Sequence, residues 1–153
     1  MIILEHSRGI GVIEILIVIM VLGVMTVVAL PQLERYMASR DLVHAARQLG
    51  GDLRLTQQYA ITQDERFRLV YTTAPSSKYT IRKSSDSTLM KDADLPAGIT
   101  ITGSFASTPA EFTATGAPLT AGQFCLSDGT LILRVDVQPA TGRVQITEVV
   151  SCP

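Results

Sequence analysis

Tryptophan is absent and aromatic residues make up only 5% of the sequence, so any core must be built from Ile, Leu and Val rather than from large rings. Neither sign of charge dominates: 13 Lys and Arg stand against 14 Asp and Glu, a net of −1. A general nucleic-acid binder needs surplus cations to displace counterions from phosphates, so that class is excluded for the chain as a whole, though a local basic patch is not. Catalytic patterns are missing too. There is no GxSxG, HExxH, phosphate-binding glycine loop or Cys–His pairing, and His44 has no acid or cysteine at metal-ligand spacing. An enzyme, a cofactor and a metal centre are therefore not expected. Cysteine is scarce. Cys125 and Cys152 read either as one disulfide of an exported domain or as two small hydrophobes in a reducing compartment.

What the sequence does have is a long apolar run. With 153 residues the chain holds one domain plus an appendage, and the apolar residues gather at its N-terminus. As a helix, Ile10 to Leu30 measures about 31 Å, close to the roughly 30 Å hydrocarbon core of a bilayer. In lipid the backbone can satisfy its polar groups only internally, so helix is expected despite many β-branched residues. One carboxylate, Glu14, interrupts the run. A cleaved secretory signal, with the small residues of "VVA" ending at Ala29, accounts for the length poorly, and neither it nor a plain anchor accounts for the acid. Two explanations of Glu14 remain from spacing. The acid snorkels to a headgroup region, or a cut after Gly9 leaves a positive amine on Ile10, one helical turn away on the same face. In the second case the acid of one chain can meet the amine of another and set their axial register.

The segment "RGIGVIEILIVIMVLGVMTVVALPQ" resembles the class III signal of type IV pilins and type II secretion pseudopilins. In that family a short basic leader ends in Gly, and a hydrophobic residue, a small hydroxyl residue, two apolar residues, Glu and a long apolar run follow. Here Ile10 stands where Phe is commoner and Gly11 where Ser or Thr is usual. The resemblance implies cleavage after Gly9 and N-methylation of Ile10. It implies Glu14 as the assembly acid and Pro31 as a helix-kinking proline. The implied partners are a prepilin peptidase/N-methyltransferase, the inner membrane and other pilin or pseudopilin subunits. Export of the C-terminal part favours the Cys125–Cys152 disulfide; closing a loop of about 28 residues is worth about 3–4 kcal/mol in the chain-entropy model.

Past Pro31, the residues Leu33, Met37, Leu42, Ala46, Leu49, Leu53 and Ala60 recur at helical spacing, with Arg35, Arg40, Arg47, Asp52 and Arg54 mostly on other faces. The helix is predicted to reach about Thr62. Gly50-Gly51 weakens it and reads as close packing against a sheet rather than as a hinge. From Arg66 the period shortens to two. "RFRLVY" and "KYTIRK" are strands joined by the turn "APSS", with Phe67, Leu69, Tyr71, Tyr79 and Ile81 inward. "SSDSTLMKDADLPAG" reads as a polar loop. "ITIT", "EFTAT", "QFCLS", "LILRVDV" and "RVQIT" are further strands, the last three a meander turning at "SDGT" and "PATG". The fold class is α+β, a long helix laid on an antiparallel sheet. Its parts are a leader (1–9), an assembly and transmembrane helix (10–30), the amphipathic half of that helix (31–62) and a β domain (63–153).

The stretch "AARQLGGDLRLTQQYAITQDERFRLVY", followed by "FTATGAPLTAGQFCLSDGT" and "VDVQPATGRVQI", resembles the GspH/FimT-type pilin domain. A Phe-x-x-x-Gly segment there precedes the final hairpin and a Gly-Arg turn closes it. This resemblance implies a structural subunit of a pilus or pseudopilus. Such a subunit sits in the inner membrane with its C-terminal domain outside the cytoplasm. The alternative is a DNA-uptake pilin that binds DNA through Arg66, Arg68, Lys78, Arg82 and Arg143, though Gly142-Arg143 leads to Val144-Gln145 and not to a second arginine. Asp86, Asp92 and Asp94 offer oxygens for Ca²⁺ but lack the spacing of a known loop, so a solvated acidic loop is expected.

Overall fold

A computed structural model describes residues 11–73, 77–105, 109–139 and 141–152, with the side chains of 27–36 and 38 not described. One helix, α1 (Val12–Gln63), precedes eight strands. They are β1 (Phe67–Thr72), β2 (Lys78–Lys83), β3 (Leu89–Asp94), β4 (Thr100–Gly103), β5 (Ala110–Phe112), β6 (Gly122–Ser127), β7 (Ile132–Val137) and β8 (Val144–Val149). The chain divides into two units, Met1–Met37 and Ala38–Pro153.

In the second unit α1 is amphipathic in the way the periodicity predicts. Leu42, Ala45, Ala46, Leu49 and Leu53 are buried, each within about one turn of the next, and Ala60 follows two turns on, while Arg47 and Arg54 stay exposed. The helix stops one residue beyond the expected Thr62. Asp64 takes a left-handed φ of 51°, and the Glu65 N–H donates to the Ala60 carbonyl at 3.2 Å, a Schellman-type closure achieved without glycine. Pro31 lies within α1 and does not end it; its side chain, and any kink attributed to it, lie outside the described residues.

The strands form two four-stranded antiparallel sheets, ordered β3-β2-β1-β5 and β4-β6-β7-β8, and not the single sheet expected. Periodicity marks strands but not the sheet in which a strand finds its neighbours, because that choice rests on contacts distant in sequence. Phe67, Leu69, Tyr79, Ile81 and Phe112 of the first sheet are buried, as are Ile101, Phe124, Leu126, Val135 and Val137 of the second. Rings join the two sheets. Tyr71 meets Phe124 edge-on at 5.6 Å between centroids and donates its hydroxyl hydrogen to the Gly103 carbonyl at 3.2 Å. Phe105 lies over Gly122, where a Cβ would come within 2.4 Å of the ring.

Strand β3 corrects the reading of "SSDSTLMKDADLPAG" as a loop. It is an edge strand whose only buried residue is Ala93, and its register on β2 shifts between Ile81 and Arg82. With Leu89, Met90, Asp92 and Asp94 all exposed, no apolar alternation marks it. The meander of β6, β7 and β8 forms as predicted. At its first turn burial pushes the Asp128 carboxyl up, but N–H donation from Leu131 and Thr130 to its Oδ1, both at 2.8 Å, outweighs that and holds it below the usual range. "EFTAT" is strand only to Phe112, after which Thr113 and Gly116 close a turn. Cys125 and Cys152 form a disulfide with Cα atoms 6.3 Å apart, fastening β6 to the chain beyond β8.

The two adjacent glycines of α1 differ. A Cβ on Gly50 would touch Val144 and Ile146 of β8, each at 3.5 Å, so the packing expected for the pair holds there. Gly51 is exposed and a Cβ on it would meet nothing within 4 Å. Gly51→Ala is therefore expected to raise stability by about 1 kcal/mol through helix propensity alone, whereas Gly50→Leu lowers it by about 1–3 kcal/mol through overpacking. Urea denaturation of the two variants checks both signs.

Candidate functional site: the bare helix, its buried acid and the basic sheet face

The first unit consists, as far as it is described, of helix. Glu14 lies in its first turn, where a carboxylate complements the helix dipole, and its N–H donates to the Gly11 carbonyl at 2.9 Å. Every described side chain from Gly11 to Thr26 is exposed, with Val12 at 78% and Met25 at 65%. Thr26 hides its hydroxyl by donating to the Leu22 carbonyl at 2.7 Å. Glu14 is thus the one charge between Gly11 and Thr26, a stretch of helix otherwise apolar on every side, a pattern that suits burial in a larger core or in lipid. Among the described residues no helix is long and apolar enough to cross a membrane. Gly9 and Ile10, on which cleavage and methylation turn, lie outside the described residues, as do the side chains of 27–30.

Asp52 is a finding that periodicity missed. Grouped with the polar face, it is only 5% exposed, on the side of α1 that meets the first sheet. Lys91 donates to both of its oxygens at 2.6 and 2.8 Å, and the Tyr79 hydroxyl donates to Oδ2 at 2.8 Å. The three residues tie α1, β2 and β3 together and fix the helix against one place on the sheet. Burial, and then the bond to and charge of Asp52, push the Tyr79 hydroxyl pKa far above the ordinary 10.

A second tie lies near the end of α1. Gln57 donates from Nε2 to the Gly116 carbonyl at 2.7 Å and to the Thr141 carbonyl at 3.4 Å. The Phe-x-x-x-Gly segment (Phe112 to Gly116) and the Gly142-Arg143 turn therefore meet on one helix side chain. Gly142 has a φ of 65°, and a Cβ there would lie 2.6 Å from Gln57 Nε2. Only glycine meets both demands.

The basic residues of the first sheet come together in part. Arg68 and Arg82 are directly opposite on β1 and β2, and both reach Ser87: Arg68 Nη2 donates to its Oγ at 2.8 Å and Arg82 Nη1 to its carbonyl at 3.3 Å. Arg68 Nε is buried without a partner. Carboxylates interleave the row. Glu111 is opposite Arg68 on β5 and Asp94 is opposite Lys78 on β3. Arg66, exposed, precedes β1, and Arg143 is exposed in a turn of the other sheet, so it is not part of the row. The acids considered for Ca²⁺ do not converge. Asp86 accepts the Thr88 N–H at 2.9 Å in a turn, which holds its carboxyl low, while Asp92 and Asp94 line β3. Among the described residues no group of His, Cys, Asp and Glu could hold a metal ion.

Substitutions test both ties. Removing Lys91 (Lys91→Ala) leaves a buried charge unpaired and is expected to cost about 2 kcal/mol, below the 3–5 typical of a fully buried pair because Lys91 is partly exposed. Tyr79, with its pKa raised by folding, contributes stability that is present below the ordinary tyrosine pKa of 10 and lost as pH rises above it. Tyr79→Phe should thus be less stable by about 1 kcal/mol at neutral pH, yet lose stability less steeply above pH 10, as read by denaturation at several pH values. For the second tie, Gly142→Ala should cost about 2 kcal/mol or more from strain plus the Gln57 clash. Gly129→Ala should cost about 1 kcal/mol, since φ there is 90° but nothing lies within 4 Å.

The family model for the type II transport protein GspH matches residues 45–142. No curated protein matches the chain. Among solved structures it is similar to the type IV minor pilin FimU of Pseudomonas aeruginosa, with 19% identity, a TM-score of 0.64 and coverage of 77% of this chain and 99% of that one. A second crystal form of FimU has 18% identity, covers 73% and 100%, and has a TM-score of 0.61. The minor pseudopilin EpsH from the Type 2 Secretion System of Vibrio cholerae has 13% identity, covers 71% and 96%, and has a TM-score of 0.55. At these identities the solved structures speak for the fold, and the family model, which spans α1 from Ala45 to the Gly142 turn, carries the assignment. The chain belongs to the GspH family and is a structural subunit rather than an enzyme.

Proposed function

We propose that the chain is a minor pilin or pseudopilin that enters a pilus or pseudopilus through its N-terminal helix. The observation that carries this reading is the bare apolar face of Val12–Met25 with a single acid in its first turn. Such a surface is too large to be left in water and marks a segment covered by lipid or by other helices. In the precursor the helix crosses the inner membrane once, with the sheet domain outside the cytoplasm. A prepilin peptidase cuts after Gly9 and methylates the new amine on Ile10. Packed among the helices of other subunits, Glu14 then meets the N-terminal amine of a neighbour. An ion pair in apolar surroundings adds little net stability, but it penalises every axial slip that leaves either charge alone.

The mature protein is expected to begin at Ile10 by N-terminal mass spectrometry. Glu14→Ala should leave cleavage and membrane retention unchanged and reduce incorporation into sheared filaments at least tenfold. Unreduced incorporation would remove the role given to the acid, and a product beginning at Leu30 would remove the assembly helix altogether.

A further inference from the structure

Among the described residues, two buried side-chain polar atoms have no hydrogen-bond partner, Arg68 Nε and Ser84 Oγ, and both belong to one corner of the first sheet. The Ser84 N–H donates to the Arg66 carbonyl at 2.9 Å, which carries the pairing of β1 and β2 one step past Phe67 and Lys83. Two-residue alternation then puts Arg66, Arg68, Arg82 and Ser84 on one face, away from Phe67, Leu69 and Ile81 of the core. Glu111, opposite Arg68 on β5, shares that face. Arg66, Ser84 and Glu111, the neighbours of Arg68 there, line an open recess of about 470 Å³ completed by Glu65 and Ser85.

This corner is strained in ways the fold of the chain leaves uncompensated. Arg68 and Arg82 set like charges directly opposite each other. They bond only neutral groups, the hydroxyl and carbonyl of Ser87 and the hydroxyl of Thr80. Ser87, which holds both, has a left-handed φ of 61° without being glycine. Arg68 Nε and Ser84 Oγ are removed from water and bonded to nothing. Among the described residues Arg66, Arg68 and Arg82 make no ion pair, not even with Glu111. Glu65 is engaged elsewhere, by Lys83 at 2.9 Å and by the Ser85 hydroxyl at 3.2 Å.

We infer that this recess is a binding site for a single carboxylate group, held by Arg68, Ser84 and Arg66. A guanidinium N–H and a hydroxyl are both donors, so the missing partner is an acceptor, and three unpaired cations make it an anion. Arg66, exposed and without a side-chain bond among the described residues, is free to close over it. The shape of the anion follows from Glu111. Strand order puts Ser84 on one side of the arginines and Glu111 on the other. A carboxylate can turn both oxygens toward Arg68 and Ser84 and its carbon toward Glu111. Phosphate carries oxygens on every side and must set one against that acid, which repels it. An acidic side chain of another subunit and a small free acid present the same group. The site stands on the geometry of the sheet and not on how the chain assembles.

The test uses the full chain in detergent with isotope-labelled arginine, the Arg68 Nε–H resonance being assigned by its loss in Arg68→Lys. Sodium acetate is exchanged for sodium chloride at constant ionic strength. The resonance is expected to move to a saturating limit, with half-saturation on the order of 10 mM for so small a ligand. Ser84→Ala and Arg66→Gln should each weaken acetate about tenfold, and inorganic phosphate should bind at least tenfold more weakly than acetate. In Glu111→Gln that preference should vanish. A shift that never saturates, or acetate binding that Ser84→Ala and Arg66→Gln leave unchanged, overturns the site. Phosphate or duplex DNA binding more tightly than acetate overturns it as well. The source of the acid is read in membranes from cells making the chain, because carbodiimide joins an amine to a carboxylate touching it. A heavier cross-linked species in Arg66→Lys with Glu111→Gln, absent from Glu111→Gln alone, assigns the acid to another subunit. Saturable acetate binding without that species assigns the site to a small free acid. Glu14→Ala, which tests the assembly reading, should leave the acetate titration unchanged, so either idea can fail alone.

Discussion

One helix must satisfy two environments, and that constraint governs the rest of the molecule. From Val12 to Met25 α1 is apolar all round but for Glu14, while from Leu42 onward it buries one side and shows charges on the other. An all-round apolar surface has no stable state alone in water. A one-sided surface is satisfied by the chain's own sheets. The change in pattern along a single element therefore separates the part that lipid or other helices are proposed to cover from the part completed by its own fold.

Within the globular unit, apolar burial holds the helix on the sheets but does not specify where. Leucines and alanines slide past one another at small cost, and directional bonds do not. Asp52 meets Tyr79 and Lys91 on one sheet, and Gln57 meets two loop carbonyls near the end of the helix. A slip along the axis would strand a buried carboxylate, whose desolvation is far costlier than any single lost apolar contact. Polar residues facing inward thus decide register, in the way proposed for Glu14 among assembled subunits.

The interleaving of acids with Arg68, Arg82 and Lys78 bears on function as well. A row of cations facing a phosphate backbone gains from every counterion released, and each carboxylate in the row subtracts from that gain. Glu111 and Asp94, brought in from β5 and β3, sit opposite two of the three cations. The face is better matched to a mixed-charge protein surface than to a polyanion.

Much of this was legible in the sequence, because it depends on local repetition. Helical spacing of Leu42, Leu49 and Leu53, two-residue alternation in "RFRLVY" and "KYTIRK", turn residues at Ser127–Thr130 and an acid in an apolar run each announce themselves within a few residues. The α+β class and the meander followed from those signals. The division into two sheets, the strand hidden in "LMKDAD" and the inward turn of Asp52 did not, since each depends on partners far along the chain. An edge strand needs little apolar alternation, and an aspartate reads as a surface residue until a lysine and a tyrosine, from strands well beyond the helix, enclose it. Local chemistry chose the elements, and long-range pairing, which no short window of sequence contains, chose their neighbours.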